Sequence, residues 1–308
     1  MSGPGSDRSA RSAQGGSPAT PISRRTLLIS AAGIGAGILV AGTTSSTFPP
    51  AARAGIPFVR YAPLPVLPVG RLTVADNAVG TVDAGTFRLT LTATAMQIDV
   101  GGRTVFSSPG GAFLAAADGR LDWQTQTGHF SFTPALSSLQ LDQTILDVRR
   151  SGEGVTVNGR LTPPIDLGPL STDLAAGGPF DLTTARDFTL HIAPGPHGLE
   201  LRTDVPGADV VMLRPARSAG EGLHGAGEQF TDFDLSGRDV PIVTREQGVG
   251  RGREPLTALA EATQDAGGSA ETPYAPLPFL ATGAMRAFAL DTDVVATFDC
   301  RPAERIDI

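Results

Sequence analysis

Two neighbouring stretches of this chain carry side chains that could do chemistry. Residues 245–253 read REQGVGRGR, so Gly248, Gly250 and Gly252 alternate with Val249, Arg251 and Arg253. Glycines at that density let a backbone come close to another molecule, because no Cβ stands in the way. They are expected to hold Gln247 on a flexible, close-approaching loop. Arg251 offers a planar fork of donors that fits a carboxylate, sulfonate or phosphate, and Gln247 offers a donor and an acceptor to a sugar hydroxyl. The plainer reading is a structural loop in which Arg245 and Arg251 pair with nearby acids. Glu228, Asp232, Asp234, Asp239 and Glu246 fall within nineteen residues of one another. Paired carboxylates can form the acid and base of a glycosidase, and their separation decides the mechanism. A solvated face with turn-forming aspartates accounts for the same acids more simply, and it is the reading favoured.

Other chemistries find less support. His129, His191, His197 and His224 are scattered, and no pair has the helical spacing of a zinc site. Cys300 is the only cysteine, so no internal disulfide can form and a buried, inert thiol is expected. The 24 basic residues are all arginine, which rules out a lysine nucleophile. Gly222–Phe230 (GLHGAGEQF) has spacing close to a dinucleotide fingerprint, but its surroundings alternate with period two. A strand turning a corner against another backbone suits those glycines better. No cofactor is expected.

The elements that must position these residues are strands. Phe87–Val100 alternates apolar with polar residues and reads as one strand with one buried face. Gly101-Gly102 then marks a hairpin turn into 104–107, and Asn158-Gly159 marks another between Val155–Val157 and Arg160-Leu161. Further strands are predicted at Phe188–Ala193, Gly198–Val205, Val210–Leu213, Met285–Asp291, Val294–Phe298 and Glu304–Ile308, with Pro163–Pro179 as a long loop. Only Glu254–Gln264 is a helix candidate. The rhythm is that of an all-β antiparallel sandwich over 72–308.

The N-terminal part differs. Arg24 and Arg25 lead into an apolar, glycine-rich run of about 16 residues ending near Gly42, and Ala52-Arg53-Ala54 offers a small-residue cleavage site. Residues 1–54 are therefore expected to be a twin-arginine export signal, with 55–71 as a linker. The alternative is an uncleaved anchor, although the run is short of the roughly 20 apolar residues a span needs. Without residues 1–54 the chain keeps 19 arginines against 30 acids, a net charge of −11. A body that acidic is a poor partner for nucleic acid.

Taken together, Gly222–Phe230, Asp234–Arg238 (DLSGR), Val240–Thr244 (VPIVT), Glu246–Arg251 (EQGVGR) and Thr272–Phe279 (TPYAPLPF) resemble the end of the N-terminal β-sandwich of family 31 glycoside hydrolases. The EQGVGR wording is most similar to the sulfoquinovosidase and related α-glucosidase branch. The resemblance implies a galactose-mutarotase-like sandwich that docks on a (β/α)8 barrel and sends a loop to the rim of a carbohydrate site. It assigns Gln247, Gly248, Val249 and Arg251 to that rim. In the family both catalytic aspartates lie on the barrel, for which the 56 residues after Gly252 leave no room, so no catalytic residue is expected here. The expectation is a truncated or split glycosidase whose partner is the missing barrel, with a free-standing carbohydrate-binding or interaction module as the alternative. In the docked case Tyr274, Leu277, Phe279 and Leu280 should form an exposed apolar face.

Overall fold

The structure is a computed structural model. It describes residues 24–31, 63–126, 129–165, 167, 180–244, 248–264, 266–271 and 273–308, with the backbone alone for 24–31, 124–126, 129–132, 261, 262 and 264. Of the described residues, half lie in strands and 4% in α-helix. The strands are numbered in chain order. The largest sheet runs β14 (Leu223–Gly225), β16 (Phe279–Thr282), β17 (Arg286–Leu290), β1 (Arg24–Ala31), β12 (Gly198–Asp204), β11 (Arg186–Gly195), β10 (Gly154–Thr162), β9 (Asp142–Ser151) and β2 (Leu72–Val74). Every neighbouring pair in it is antiparallel except β2 and β9.

A four-stranded sheet of β3 (Gly80–Asp83), β4 (Arg88–Thr92), β5 (Ala95–Val100) and β6 (Arg103–Ser107) covers the core face of the large sheet. Leu89, Leu91, Met96, Ile98 and Phe106 from this layer share one buried cluster with Val155, Val157, Leu190, Ile192, Leu201 and Phe288 from the other. Apolar side chains at every second position are what such a two-layer core requires. A third sheet joins β13 (Val210–Leu213) to a long hairpin of β7 (Leu114–Gln126) and β8 (His129–Gln140). Its Ala115, Ala117 and Leu139 bury a second, smaller cluster with Leu67 and Met212. The last sheet pairs β15 (Asp239–Ile242) with β18 (Ala296–Asp299). One α-helix, α1 (Leu256–Gln264), and one 3-10 turn, Asp76–Ala78, are described. No helix among the described residues is long and apolar enough to cross a membrane.

Several expectations need correcting. Phe87–Val100 is two strands folded at Ala93-Thr94, with Arg88 opposite Asp99 and Thr92 opposite Ala95. Buried positions fall on Phe87, Leu89 and Leu91 and then on Met96 and Ile98, so the alternation slips phase where the chain turns. The Gly101-Gly102 turn is as expected, both residues having positive φ (56° and 78°). Asn158-Gly159 is no turn, because β10 runs straight through it beside a bulge in β9. A Cβ on Gly159 would stand 2.2 Å from the Thr144 carbonyl and 2.5 Å from the Phe188 ring, so this glycine serves close approach. Glu304–Ile308 runs extended beside 213–217, with reciprocal Leu213–Ile308 hydrogen bonds and Ile306 N–H donating to the Pro215 carbonyl at 3.0 Å, although its pairing is limited to isolated bridges, Ala216 with Arg305 and Asp299 with Asp307.

Two parts expected outside the sandwich touch it. Arg24–Ala31, expected within the export signal, is a strand inside the large sheet. Of the expected linker, residues 63–71 lie against the body, where the Leu64, Leu67 and Pro68 carbonyls accept from Arg301 (2.7 Å), Arg305 (2.5 Å) and Arg214 (2.8 Å). Pro63, Pro65 and Pro68 have no N–H to give a sheet, and arginine donors reach their side of the fold instead.

Cys300 is buried and its thiol is pushed far up by burial, as expected of an inert cysteine. Asp307 lies between two buried guanidinium groups, holding Arg305 through Nε at 2.7 Å and Arg214 through Nε at 3.5 Å. Removing one partner of a buried pair typically costs about 3–5 kcal/mol, because the remaining charge has no counterpart. Asp307→Ala should lower the unfolding free energy in urea by about that amount. A loss below about 1 kcal/mol, the range of surface pairs, would contradict this account of the clamp.

Candidate functional site

The glycine-rich corner is built by backbone contact. β14 pairs with β16 from Leu223 opposite Thr282 to Gly225 opposite Leu280, and the chain then turns through Gly225, Ala226 and Gly227 at φ of 127°, 58° and 93°. A Cβ on Gly225 would stand 2.5 Å from the Phe279 carbonyl, and one on Gly227 2.1 Å from the Ala275 carbonyl. Only glycine fits either place. Ala226 N–H and Glu228 N–H donate to the Phe279 and Ala275 carbonyls at 2.6 and 3.1 Å, fastening 226–228 to 275–279. This is the strand-and-corner arrangement expected from the sequence.

The second loop is pinned on two sides. Val249 N–H donates to the Ala266 carbonyl at 2.6 Å, and Gly268 N–H donates to the Val249 carbonyl at 3.2 Å. A Cβ on Gly248 would come within 2.6 Å of the Gly267 backbone, and one on Gly250 within 2.4 Å of Thr257 Oγ1 at the start of α1. The glycines therefore serve close approach to this domain's own backbone. Between them Val249 is exposed, and Arg251 at φ 48° lays its guanidinium over the Phe230 ring, 4.9 Å from the centroid. Arg251 Nε is buried without a hydrogen-bond partner. The stacking joins residues 21 positions apart, and nothing in the sequence pattern marks it. Gln247, with Arg245 and Glu246, lies outside the described residues.

Beside this corner the 274–279 segment shows apolar side chains to solvent, with Leu277 58% and Phe279 39% exposed. Tyr274 and Phe230 are exposed as well. Leu280 corrects the expectation: it is fully buried, because β16 alternates and places Leu280 opposite Phe288 on the core side. An open groove of about 400 Å³ lies nearby, lined by Ile242–Thr244, Pro278 and Thr292–Val295, with Asp293 as its one carboxylate.

Asp232, Asp234 and Asp239 have structural places, whereas the Glu228 side chain is exposed. Asp232 pairs with Arg238 at 2.7 Å, and Arg238 reaches Glu271 at 3.2 Å. Asp239 is buried at the start of β15. Asp234 accepts from Leu223 N–H (3.0 Å), Ser236 N–H (3.0 Å) and the Ser236 hydroxyl (2.7 Å). Those donors hold its carboxyl down to about 2. His224 bonds through Nδ1 to the Phe233 carbonyl at 2.8 Å, and His191 through Nδ1 to Thr156 Oγ1 at 3.0 Å. No cluster among the described residues could hold a metal ion.

Asp234 makes this corner sensitive to acid. A carboxyl held near 2, against an ordinary 3.8, contributes stability that is present above 3.8 and lost as pH falls toward 2. Asp234→Asn keeps an acceptor for Leu223 and Ser236 but cannot titrate. Thermal unfolding from pH 5 to pH 2 should show the native chain losing its advantage over Asp234→Asn in the acid half of that range. A constant difference between the two would contradict the assignment.

No protein-family model matches the chain. Among curated proteins, the sulfoquinovosidase of Escherichia coli (strain K12) is 33% identical over 115 residues, covering 36% of this chain and 17% of the enzyme. The sulfoquinovosidase of Agrobacterium fabrum (strain C58) is 32% identical over 92 residues, covering 30% and 14%. Among solved structures, a GH31 family sulfoquinovosidase from E. rectale, in complex with an aza-sugar inhibitor, superposes with a TM-score of 0.52 at 19% identity. That match covers 71% of this chain and 30% of the other, and at such identity it speaks for the fold. The chain thus spans a small part of the length of its curated relatives, and no barrel is found among its described residues. Sequence likeness over a third of the chain, and fold likeness over most of it, fit the N-terminal β-sandwich domain of the family 31 glycoside hydrolases.

Proposed function

We propose that the chain is the exported, non-catalytic N-terminal module of a family 31 α-glycosidase, acting beside a catalytic barrel that carries the reacting carboxylates. The observation that supports this best is the pinned loop of 248–252 beside an exposed apolar face. The loop holds Val249 and Arg251 in fixed backbone positions, and Arg251 keeps one buried donor without a partner. Gln247, Gly248, Val249 and Arg251 are assigned to the rim of the sugar site. There a guanidinium fork suits an anionic group on the sugar, and Gln247 suits its hydroxyls. Exposed Leu277, Phe279 and Tyr274 beside that loop suit a protein surface that excludes water around it. Export through the twin-arginine segment completes the reading.

Asp232 and Asp234 are engaged in an ion pair and a turn, and retaining hydrolysis needs two carboxylates about 5–5.5 Å apart in a shaped pocket. The purified chain should therefore not turn over an aryl α-glycoside above the buffer rate. Turnover that disappears in Asp232→Asn or Asp234→Asn would overturn the proposal. A second reading, a free-standing carbohydrate-binding or interaction module, draws on the sandwich closing its own core without help. The exposed face separates the two. If it normally docks on a barrel, the chain should bind a hydrophobic dye and self-associate, and Leu277→Ser with Phe279→Ser should reduce both without changing the unfolding midpoint by more than a few degrees. A monomer that binds no dye would favour the free-standing module.

A further inference from the structure

The large sheet holds a position that the sequence gives two uses. β1 lies between β12 and β17 and is antiparallel to both. On one side Thr26 faces Arg202, Leu27 faces Leu201 and Ile29 faces Leu199; on the other Leu27 faces Leu290 and Ile29 faces Phe288. Leu199, Leu201, Phe288 and Leu290 are all buried, so the register places positions 27 and 29 opposite buried residues on both sides and position 28 opposite Glu200. A one-residue slip would exchange these positions, which is why such a register is strongly specified. The arginine pair sits at the start of the same strand, with Arg24 opposite Asp204 and Arg25 opposite Thr203. Without β1, β12 and β17 would each lose a ladder of backbone partners in the middle of a nine-stranded sheet.

We propose that the slot between β12 and β17 is a strand-accepting site whose occupant is the chain's own segment Arg24–Ala31. Docking there withdraws the twin-arginine pair from any receptor that must read it. The second half rests on the export reading above. Each backbone N–H and C=O of a strand inside a sheet is engaged, whereas a receptor-read signal has to be presented outside the fold. Docking and export are thus alternative fates of one eight-residue segment, and removal of the segment leaves an open slot for an extended strand with the same apolar alternation.

The test uses the full chain. Thr26→Cys with Arg202→Cys places thiols on facing positions, whereas Thr26→Cys with Gly198→Cys places them four residues out of register. Facing Cα atoms in such a pair are about 4.5–5.5 Å apart, within the reach of a disulfide, and Cα atoms beyond about 7 Å are not. Mild oxidation should cross-link the first pair and leave the second free, with buried Cys300 taking no part. Equal cross-linking of both pairs, or none in either, overturns the docking. A protease site introduced after Ala54 gives an independent reading without substitution in the strand. The cut fragment 1–54 should co-elute with the body and be displaced by the peptide RRTLLISA, but not by the same peptide carrying L27D and I29D. Immediate separation of the fragment, or displacement by both peptides alike, overturns it. Membrane vesicles that process twin-arginine precursors test the second half. The reduced facing-pair protein should be shortened and the oxidised protein should stay full length. Equal processing of both overturns the competition. If neither is processed while the cross-link forms, and Arg24→Lys with Arg25→Lys behaves the same, the export reading fails and the docked strand stands.

Discussion

Asp307 is one carboxylate shared by two guanidinium groups in a place that water scarcely reaches. Arg305 takes it through Nε at 2.7 Å and Arg214 approaches at 3.5 Å, while both arginines also donate to the carbonyls of Leu67 and Pro68. The residues just before β2 and the residues closing the described fold are thus tied by one cluster of charges. Hydrophobic burial has no direction and cannot choose among the ways of laying two sheets together, whereas hydrogen bonds from a rigid fork can. The proline-rich segment at 63–68 lacks the N–H groups that would let it join a sheet, so its fixed position depends on donors supplied from outside. Leu67 then contributes to the smaller apolar cluster under the long hairpin, and that hairpin is held to the body through the same region.

Most of the fold class could be read from the sequence, for a physical reason. An antiparallel sandwich has one wet and one dry face per strand, and alternation writes that directly into residues such as 198–204 and 286–290. The reading failed where alternation breaks down. Phe87–Val100 keeps its alternating look across a turn made by Ala93 and Thr94, and only the slip in phase betrays the fold-back. In β7, Ala115, Ala116 and Ala117 are all fully buried, so both faces are dry and no period survives. That long hairpin was invisible for the same reason. Asn158-Gly159 misled because a glycine needed for room looks the same in a sequence as one needed for a turn; the contact with Phe188 and Thr144 decides which it is.

At the candidate site the close approach of backbones was legible, because it is the use that Gly225, Gly227, Gly248 and Gly250 share. What those glycines approach was not. They face carbonyls and amides of this same domain, at 275–279, 267 and 257, and their effect is to hold Val249 and Arg251 in place. The stacking of Arg251 on Phe230 and the hydrogen-bonded turn around Asp234 come from contacts between separate loops, which leave no period behind. Of the acids dense enough to suggest catalysis, Asp232 and Asp234 serve to hold that corner closed.

The two outermost strands of the nine-stranded sheet are β14 and β2, each three residues long. An outer strand presents unpaired backbone groups that another chain can extend, and brevity is one of the ways proteins blunt that hazard. Here an incoming strand would find three residues to pair with at either side before the chain turns away. The breadth of the sheet is spent in its middle, where pairing is internal, and its borders offer little backbone for another chain to extend. The large sheet is thus guarded against edge pairing by strand length at its two margins, separate from the charge of −7 that the whole chain carries.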